Sequence, residues 1–337
     1  LLGLSAMPEG HRLNRGMLGM HGNIAPNYNT NQADLLIAIG MRFDDRVTGD
    51  VDHYAPNARI VHIDIDEAEF NKNVNADATI LGDARQVLER LLPMIAKNSH
   101  TEWIDTFDAH DEVESTQVIK PVLEGSDPQA LPTMGEVARK VSCAAKNSPV
   151  LVTDVGQNQM FSARYFRYSA PRSIISSGGL GTMGFGLPAA IGAKMGAPER
   201  DVCLMTGDGG FQMTIQELGT IMQYGTAVKM VILNNSFLGN VRQWQALFFN
   251  NRFSQTPMIN PDFCAIAAAY GLQSENVCQR GDLDGAIERM MAYDGPYLLN
   301  VSIREEDMVF PMTPVGSTVD TIMLNAKEMY HPKKQKS

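Results

Sequence analysis

The sequence predicts an α/β protein built from two doubly wound parallel-sheet domains, and three observations carry that expectation. At 337 residues the chain is long enough for about two domains of roughly 150 residues each. Short uninterrupted apolar runs alternate with stretches of helical periodicity, the pattern of parallel strands covered on both faces by crossover helices. Glycine stands directly after two of those runs, at Gly40 and Gly207, on the sheet edge where open α/β folds bind ligands.

Taken in order, Ala33 to Gly40 and Arg59 to Asp66 read as buried strands, and Asp83 to Ala96 as an amphipathic helix. From Lys97 to Leu131 the character changes: one exposed helix is expected near Thr101 to His110, followed by Pro121, Gly125, Asp127-Pro128 and then Pro132, which together read as a linker. Beyond it a helix is expected at Met134 to Ala145 and strands at Pro149 to Thr153, Asp201 to Thr206, Val228 to Leu233 and Tyr297 to Ile303. Helices are expected around Pro188 to Met195, Ile215 to Tyr224 and Pro261 to Tyr270. The expected boundaries are residues 1–98 for the first domain, 99–131 for the linker, 132–320 for the second domain and 321–337 for a tail. That tail ends in Lys333-Lys334-Gln335-Lys336, a solvated basic stretch. The opening Leu1-Leu2-Gly3-Leu4 lacks an initiator methionine and any signal-type pattern, so the chain reads as a fragment.

Charge excludes whole classes of partner. Lys plus Arg number 28 against 38 Asp plus Glu, a net charge of −10 that repels phosphate backbones and anionic lipid; no nucleic acid and no membrane is expected as a partner. No window approaches the ~20 apolar residues of a spanning helix. Cys143, Cys203, Cys264 and Cys278 are widely spaced without a C-x-x-C pair, so neither zinc nor a disulfide framework is indicated. They read as reduced thiols in apolar surroundings, which places the chain in a reducing compartment, the cytoplasm or an organelle stroma.

The chemistry concentrates in Met205-Thr206-Gly207-Asp208-Gly209-Gly210, followed after one helix and one strand by Asn234-Asn235. A strand–helix–strand crossover returns the chain to the same sheet edge, so Asp208 and Asn235 converge although 27 positions separate them (235 − 208). Both offer hard oxygen ligands. Mg2+ takes one or two protein groups and completes its octahedron with substrate phosphates and water, so the pair predicts a metal-diphosphate site. Glycines at 207 and 209 keep side chains from holding a diphosphate away from backbone N–H donors. Alone, Gly-Asp-Gly is a common turn; strand before, helix after and Asn-Asn at the next strand end make it specific.

That arrangement resembles the thiamine-diphosphate motif. With Ser177-Gly178-Gly179-Leu180-Gly181-Thr182-Met183-Gly184-Phe185-Gly186-Leu187-Pro188-Ala189-Ala190 and Asn235-Ser236-Phe237-Leu238-Gly239-Asn240-Val241-Arg242-Gln243-Trp244-Gln245, the chain resembles the large subunits of the acetohydroxyacid synthase (acetolactate synthase) family. Gly16-Met17-Leu18-Gly19-Met20-His21-Gly22 and Gly40-Met41-Arg42-Phe43-Asp44-Asp45-Arg46-Val47-Thr48-Gly49 resemble its FAD-binding central domain. The likeness runs from Leu1 to about Asp320.

The resemblance implies FAD contacts from Leu18, Gly19, Met20 and His21, from Gly40, Met41, Arg42, Phe43 and Asp44, and from Asp64, Ile65 and Asp83. It implies thiamine diphosphate at Gln157, Asn158, Gly181, Met183, Gly209 and Gly210, and Mg2+ on Asp208, Asn235 and the Phe237 carbonyl. Met20, Asp45, Arg46 and Trp244 are implied to shape a substrate channel. The chain departs from the family at Asn158, where His is usual, and at Asn240, where Met is common. The implied reaction is decarboxylation of pyruvate and condensation with a second 2-ketoacid, pyruvate or 2-ketobutyrate, on the way to valine, leucine and isoleucine, with FAD structural. A homodimer or higher oligomer and a regulatory small subunit are implied. The glutamate that activates the cofactor is expected in a domain preceding Leu1, so no catalytic residue is expected in this chain and the isolated chain is expected not to turn over. The competing expectations are another thiamine-dependent 2-ketoacid decarboxylase or carboligase, or a noncatalytic cofactor-binding fragment.

Overall fold

A computed structural model describes residues 2–125, 127 and 129–331. The expected basic tail at Lys333-Lys334-Gln335-Lys336, the first residue of the Leu1 opening and Pro128 of the expected linker lie outside the described residues. The chain divides into two compact units, one formed by Arg15–Val118 with residues from Phe310 onward, the other by residues up to Asn14 with Ile119–Val309.

The first unit holds a three-stranded parallel sheet in the order β1 (Leu35–Ile39), β2 (Arg59–Asp64), β3 (Ala78–Leu81), with Ile37 opposite Val61 and Ile63 opposite Ile80. Helix α1 (Ile24–Thr30) precedes β1, and its first N–H, on Ile24, donates to the buried Glu114 carboxylate at 2.7 Å. The short α2 (Asp45–Thr48) is capped by Asp44 and α3 (Ala84–Leu91) by Asp83, each side chain accepting a backbone N–H at 3.1 Å. The helix expected to reach Ala96 stops at Leu91 and gives way to a 3-10 turn at Leu92–Met94, because Pro93 has no N–H to continue the ladder. Phe43, Tyr54, Ile60 and Val319 form one small core, and Ile24, Val118, Ile322 and Leu324 another.

The segment from Thr101 to Glu124, expected as mostly linker, is helical throughout: α4 (Thr101–Glu114), a π turn over Ser115–Ile119 and α5 (Lys120–Glu124). Pro121 sits in the first turn of α5, where its missing N–H disturbs least, so it reads as a helix start rather than a breaker. The unit boundary falls inside this helical run, and not at residues 98 and 131.

The second unit is a six-stranded parallel sheet. After α6 (Met134–Ala144) come β4 (Val150–Thr153), α7 (Gln157–Tyr165), β5 (Ile174–Ile175), α8 (Gly186–Gly196), β6 (Val202–Gly207), α9 (Asp208–Met213) and α10 (Leu218–Tyr224). Then follow β7 (Val228–Asn234), α11 (Gly239–Phe248), α12 (Phe263–Ala269), β8 (Gln273–Val277), α13 (Leu283–Ala292) and β9 (Tyr297–Ser302). The strands lie in the order β5-β4-β6-β7-β9-β8. Side chains alternate between two cores: Cys203, Met205, Val231 and Leu233 face α6, α7 and α13, whereas Val202, Leu204, Met230 and Ile232 face α8, α10 and α12. Both faces of the central strands are therefore buried, which explains their unbroken apolar runs. Strand order reverses between β4 and β6, a topological switch point.

All four cysteines are free. Cys203 is buried in the sheet and its thiol is pushed up to about 12 by that burial, but Cys143 and Cys278 are exposed, against the expectation that all would be sequestered. Among the described residues no helix is long and apolar enough to cross a membrane.

Candidate functional site

Strands β6 and β7 run parallel with Gly207 opposite Leu233, so Asp208 and Asn235 follow on adjacent strand tips at one edge of the sheet. Both side chains are buried. The Asp208 carboxylate accepts the Gly209 N–H at 3.0 Å on Oδ1 and the Asn260 amide at 2.7 Å on Oδ2. Burial pushes its carboxyl above the usual range, and these hydrogen bonds pull it part of the way back. Asn235 Oδ1 accepts the Phe237 N–H at 3.3 Å, while its Nδ2 is buried with no hydrogen-bond partner.

Helix α7, which the sequence reading did not anticipate, brings two more amides to this edge. Gln157 Nε2 donates to Gln243 Oε1 at 3.0 Å and to the Asp307 carbonyl at 2.7 Å, leaving Oε1 buried and partnerless. A Cβ on Gly239 would overlap Gln157 Oε1 and stand 2.9 Å from Asn235 Nδ2, so both amides crowd the start of α11. Asn158 Nδ2 donates to the Val155 carbonyl at 3.2 Å, its Oδ1 is partnerless, and a Cβ on Gly207 would sit 3.2 Å from that Nδ2. Gln157, Asn158, Asp208 and Asn235 thus gather around the tips of β4, β6 and β7, beside the switch point.

Two other glycines serve the fold as well as any ligand. A Cβ on Gly210 would overlap Asp154 Oδ1, and one on Gly209 would stand 3.2 Å from Leu238 Cδ2 and Met258 Sδ. Asp154 itself went unnoticed in the sequence. It follows β4, is buried, and accepts the N–H groups of Val155 at 2.8 Å, Gly184 at 3.1 Å and Gly186 at 2.8 Å, pinning the glycine-rich loop to the strand end. No motif marks it: Asp154 lacks the flanking glycines and the second ligand at the next strand end that single out Asp208. Gly181 is exposed with φ of 63° and open space around its missing Cβ, and Met183 is half-buried beyond it. The Phe237 ring lies against the Arg242 guanidinium at 4.8 Å, and Trp244 packs on Phe248 at 5.3 Å.

The first unit gathers its own candidates. Gly40, Asp64 with Ile65, and Asp83 stand at or just past the carboxyl ends of β1, β2 and β3. Gly40 and Ile65 are exposed, Asp64 is buried, and its Oδ1 accepts the Asp66 N–H at 3.0 Å. Gly19 is buried with φ of 111°, and a Cβ there would overlap the Arg46 carbonyl, which accepts the Met20 N–H at 2.7 Å. Leu18, Met41 and the fully buried Phe43 pack in the small core, Phe43 edge-on to Tyr54 and His62; His21 is half-buried and Arg42 exposed beside Asp44. Met20, Asp45 and Arg46 line a cavity of about 230 Å³ with Thr313, Val315 and Gly316. Trp244, the fourth expected channel residue, belongs to the other unit.

The donor set at β6 and β7 fits Mg2+ carrying a diphosphate. One carboxylate, one amide and one carbonyl suit a hard cation that keeps phosphate and water in its shell. Among the described residues no group of three His, Cys, Asp or Glu comes together, so an all-protein metal cage is not what this edge offers. Buried polar atoms without partners cost about 1–3 kcal/mol each. Those of Gln157, Asn158 and Asn235 cluster at one edge, where a polar ligand would satisfy them.

Comparison with known proteins agrees with this geometry. Residues 154–301 match the thiamine pyrophosphate enzyme C-terminal TPP binding domain, and residues 1–91 match the thiamine pyrophosphate enzyme central domain. The chain is 41% identical over 333 residues to the probable acetolactate synthase large subunit of Methanocaldococcus jannaschii, covering 96% of this chain and 55% of that protein. It is 40% identical over 320 residues to the acetolactate synthase isozyme 2 large subunit of Escherichia coli, covering 94% of this chain and 56% of the relative. Against the acetolactate synthase large subunit of Lactococcus lactis it is 40% identical over 325 residues, 96% of this chain and 55% of the relative. The chain therefore spans little more than half the length of these relatives. With both domain models matched in order and this identity sustained along nearly all of its length, the chain is a homologue of acetolactate synthase large subunits that carries the central and C-terminal TPP binding domains of a thiamine pyrophosphate enzyme.

Proposed function

We propose that this chain supplies the cofactor-holding part of an acetolactate synthase, which decarboxylates pyruvate and joins the remaining two-carbon unit to a second 2-ketoacid. The observation that carries the reading is the pair Asp208 and Asn235 on adjacent strand tips, beside buried amides that each keep one atom without a partner. In this reading Asp208, Asn235 and the Phe237 carbonyl hold Mg2+, and Gln157, Asn158, Gly181, Met183, Gly209 and Gly210 hold thiamine diphosphate. The cofactor, when bound, supplies the electron sink that lets a 2-ketoacid lose CO2.

The chain's own residues orient and desolvate. Gln157 is held by Gln243 and by the Asp307 carbonyl, so its free Oε1 has a fixed direction. Asp154 fixes the loop that carries Gly181 and Met183. Asn158 donates or accepts hydrogen bonds without carrying charge, so its grip on a diphosphate does not vary with pH as an imidazole's would. FAD belongs on the edge formed by Gly40, Asp64, Ile65 and Asp83 and by Gly19 and Met20, as a structural group, since the overall reaction is redox-neutral. Arg46 places a cation on the wall of its cavity, which suits a 2-ketoacid carboxylate. A homodimer or larger oligomer, a regulatory small subunit and a cytoplasmic or stromal location complete the reading.

Product analysis tests it. Full-length protein carrying these residues, supplied with pyruvate, thiamine diphosphate, Mg2+ and FAD, is expected to form acetolactate. Acetaldehyde or acetyl phosphate as the main product would transfer the chain to a decarboxylase or oxidase branch of the family.

A further inference from the structure

One side-chain amide touches the Asp208 carboxylate, from a loop that no motif marks. Asn260, just ahead of α12, donates Nδ2 to Asp208 Oδ2 at 2.7 Å and to Asn234 Oδ1 at 2.9 Å. It therefore bridges the tips of β6 and β7 through side chains, in addition to the ladder between the strands. The direction of each bond is determined by its neighbours. Asn234 Oδ1 also accepts the Ser236 backbone N–H at 3.2 Å, a donor that cannot reverse, so Asn234 presents oxygen and Asn260 must present nitrogen. From the other side, Gln212 Nε2 on α9 donates to Asn260 Oδ1 at 2.9 Å, which holds the amide in that same sense. The network continues across the sheet, with Asn234 Nδ2 donating to Asn300 Oδ1 at 3.2 Å and Asn300 Nδ2 to Asn276 Oδ1 at 2.8 Å.

We propose that Asn260 is a positioning residue for the divalent-cation site: by holding Asp208 Oδ2 and Asn234 Oδ1 on one amide nitrogen, it presents Asp208 and the neighbouring Asn235 as a single preformed ligand set, with Gln212 setting its orientation. The inference rests on the metal reading above. Its physical basis is that a carboxylate held on Oδ1 by the Gly209 N–H and on Oδ2 by Asn260 has lost most of its rotational freedom before the ion arrives, and outer hydrogen-bonding groups of this kind typically contribute about 10–100-fold to metal affinity. Asn260 is half-buried, and its side chain is committed to Asp208, Asn234 and Gln212 rather than offered as a ligand.

Mn2+ serves as the probe, its free concentration read by electron paramagnetic resonance with thiamine diphosphate present, alongside melting curves in chelator. Asn260→Leu is expected to weaken Mn2+ binding by about 10–100-fold. Gln212→Leu, which leaves Asn260 in place but free to rotate, is expected to weaken it less, by about 10-fold, the bottom of the same range. Asn276→Ala, at the far end of the amide network, is expected to leave Mn2+ affinity unchanged. If Asn260→Leu lowers the melting temperature in chelator yet binds Mn2+ like the parent, Asn260 is only a fold residue and the inference is wrong. Should Asn260→Leu fail to fold, an unchanged Mn2+ affinity in Gln212→Leu overturns it equally. A parent chain that binds no Mn2+ with thiamine diphosphate present would instead remove the cofactor reading itself, and this inference with it.

Discussion

The two sheets end their strands in opposite ways. In the six-stranded unit the groups just beyond β4, β6 and β7 are buried polar side chains, several with an unmatched donor or acceptor. In the three-stranded unit the groups just beyond β1, β2 and β3 are mostly exposed, and their carboxylates are occupied with local caps: Asp44 on Arg46, Asp66 on Ala68, Asp83 on Gln86. The strands differ in the same sense. Leu299 of β9 is fully buried, whereas Leu35, Ile37 and Ile39 on one face of β1 are 41–47% exposed. The first edge gathers buried polar groups without external help; the second is an open shelf whose carboxylates are spent on local caps.

Core truncation should separate the two units most. Leu299→Ala is expected to cost about 2–5 kcal/mol, while Ile37→Ala, half in water already, is expected to cost about 1 kcal/mol or less. Equal losses in chemical denaturation would remove the contrast. Glycine replacements sharpen it at a finer scale. Gly210→Ala puts a methyl on the Asp154 carboxylate and is expected to destabilise by about 1–3 kcal/mol and loosen the 181–184 loop to proteolysis. Gly40→Ala meets open space and suffers only from its φ of 60°, about 1 kcal/mol.

A further contrast lies in pH dependence. Asp307 is buried, and that burial pushes its carboxyl up to about 6 despite the Arg304 guanidinium at 2.7 Å. A carboxyl raised in the folded state binds protons more tightly folded than unfolded, so its contribution to stability is lost as pH rises from its ordinary value of 3.8 to about 6. Asp307→Asn keeps the backbone carbonyl that holds Gln157 and removes the titration. Its stability relative to the parent should rise across that window and level off above it; a difference flat with pH would show that the carboxyl is not displaced.

Much of this was legible in the sequence, and for a reason that also explains what was missed. Strands β4, β6, β7 and β9 are buried on both faces, so they announce themselves as apolar runs. Strand β8, Gln273–Val277, lies at the sheet edge and reads as polar loop. Six of the nine residues of α7 are buried, and four of those six, Gln157, Asn158, Gln159 and Ser162, are polar, so no apolar stripe betrays it. Composition suggested a linker at 99–131 because Pro121 and Gly125 look like breakers, yet they mark the start and the end of α5. Asp208 and Asn235 were visible because a motif spaces them. Asp154 and Asn260 act through contacts that form only once the strands are aligned, and a single aspartate or asparagine carries no spacing to read.

In the proposed reading the tips of β6 and β7 hold a divalent ion and, through it, a diphosphate. Calorimetric titration of this chain with thiamine diphosphate, with and without Mg2+, tests it most directly when paired with Asp208→Ala. Heat of binding is expected to require Mg2+ and to vanish in Asp208→Ala. Binding that is indifferent to Mg2+, or that survives intact in Asp208→Ala, would contradict it.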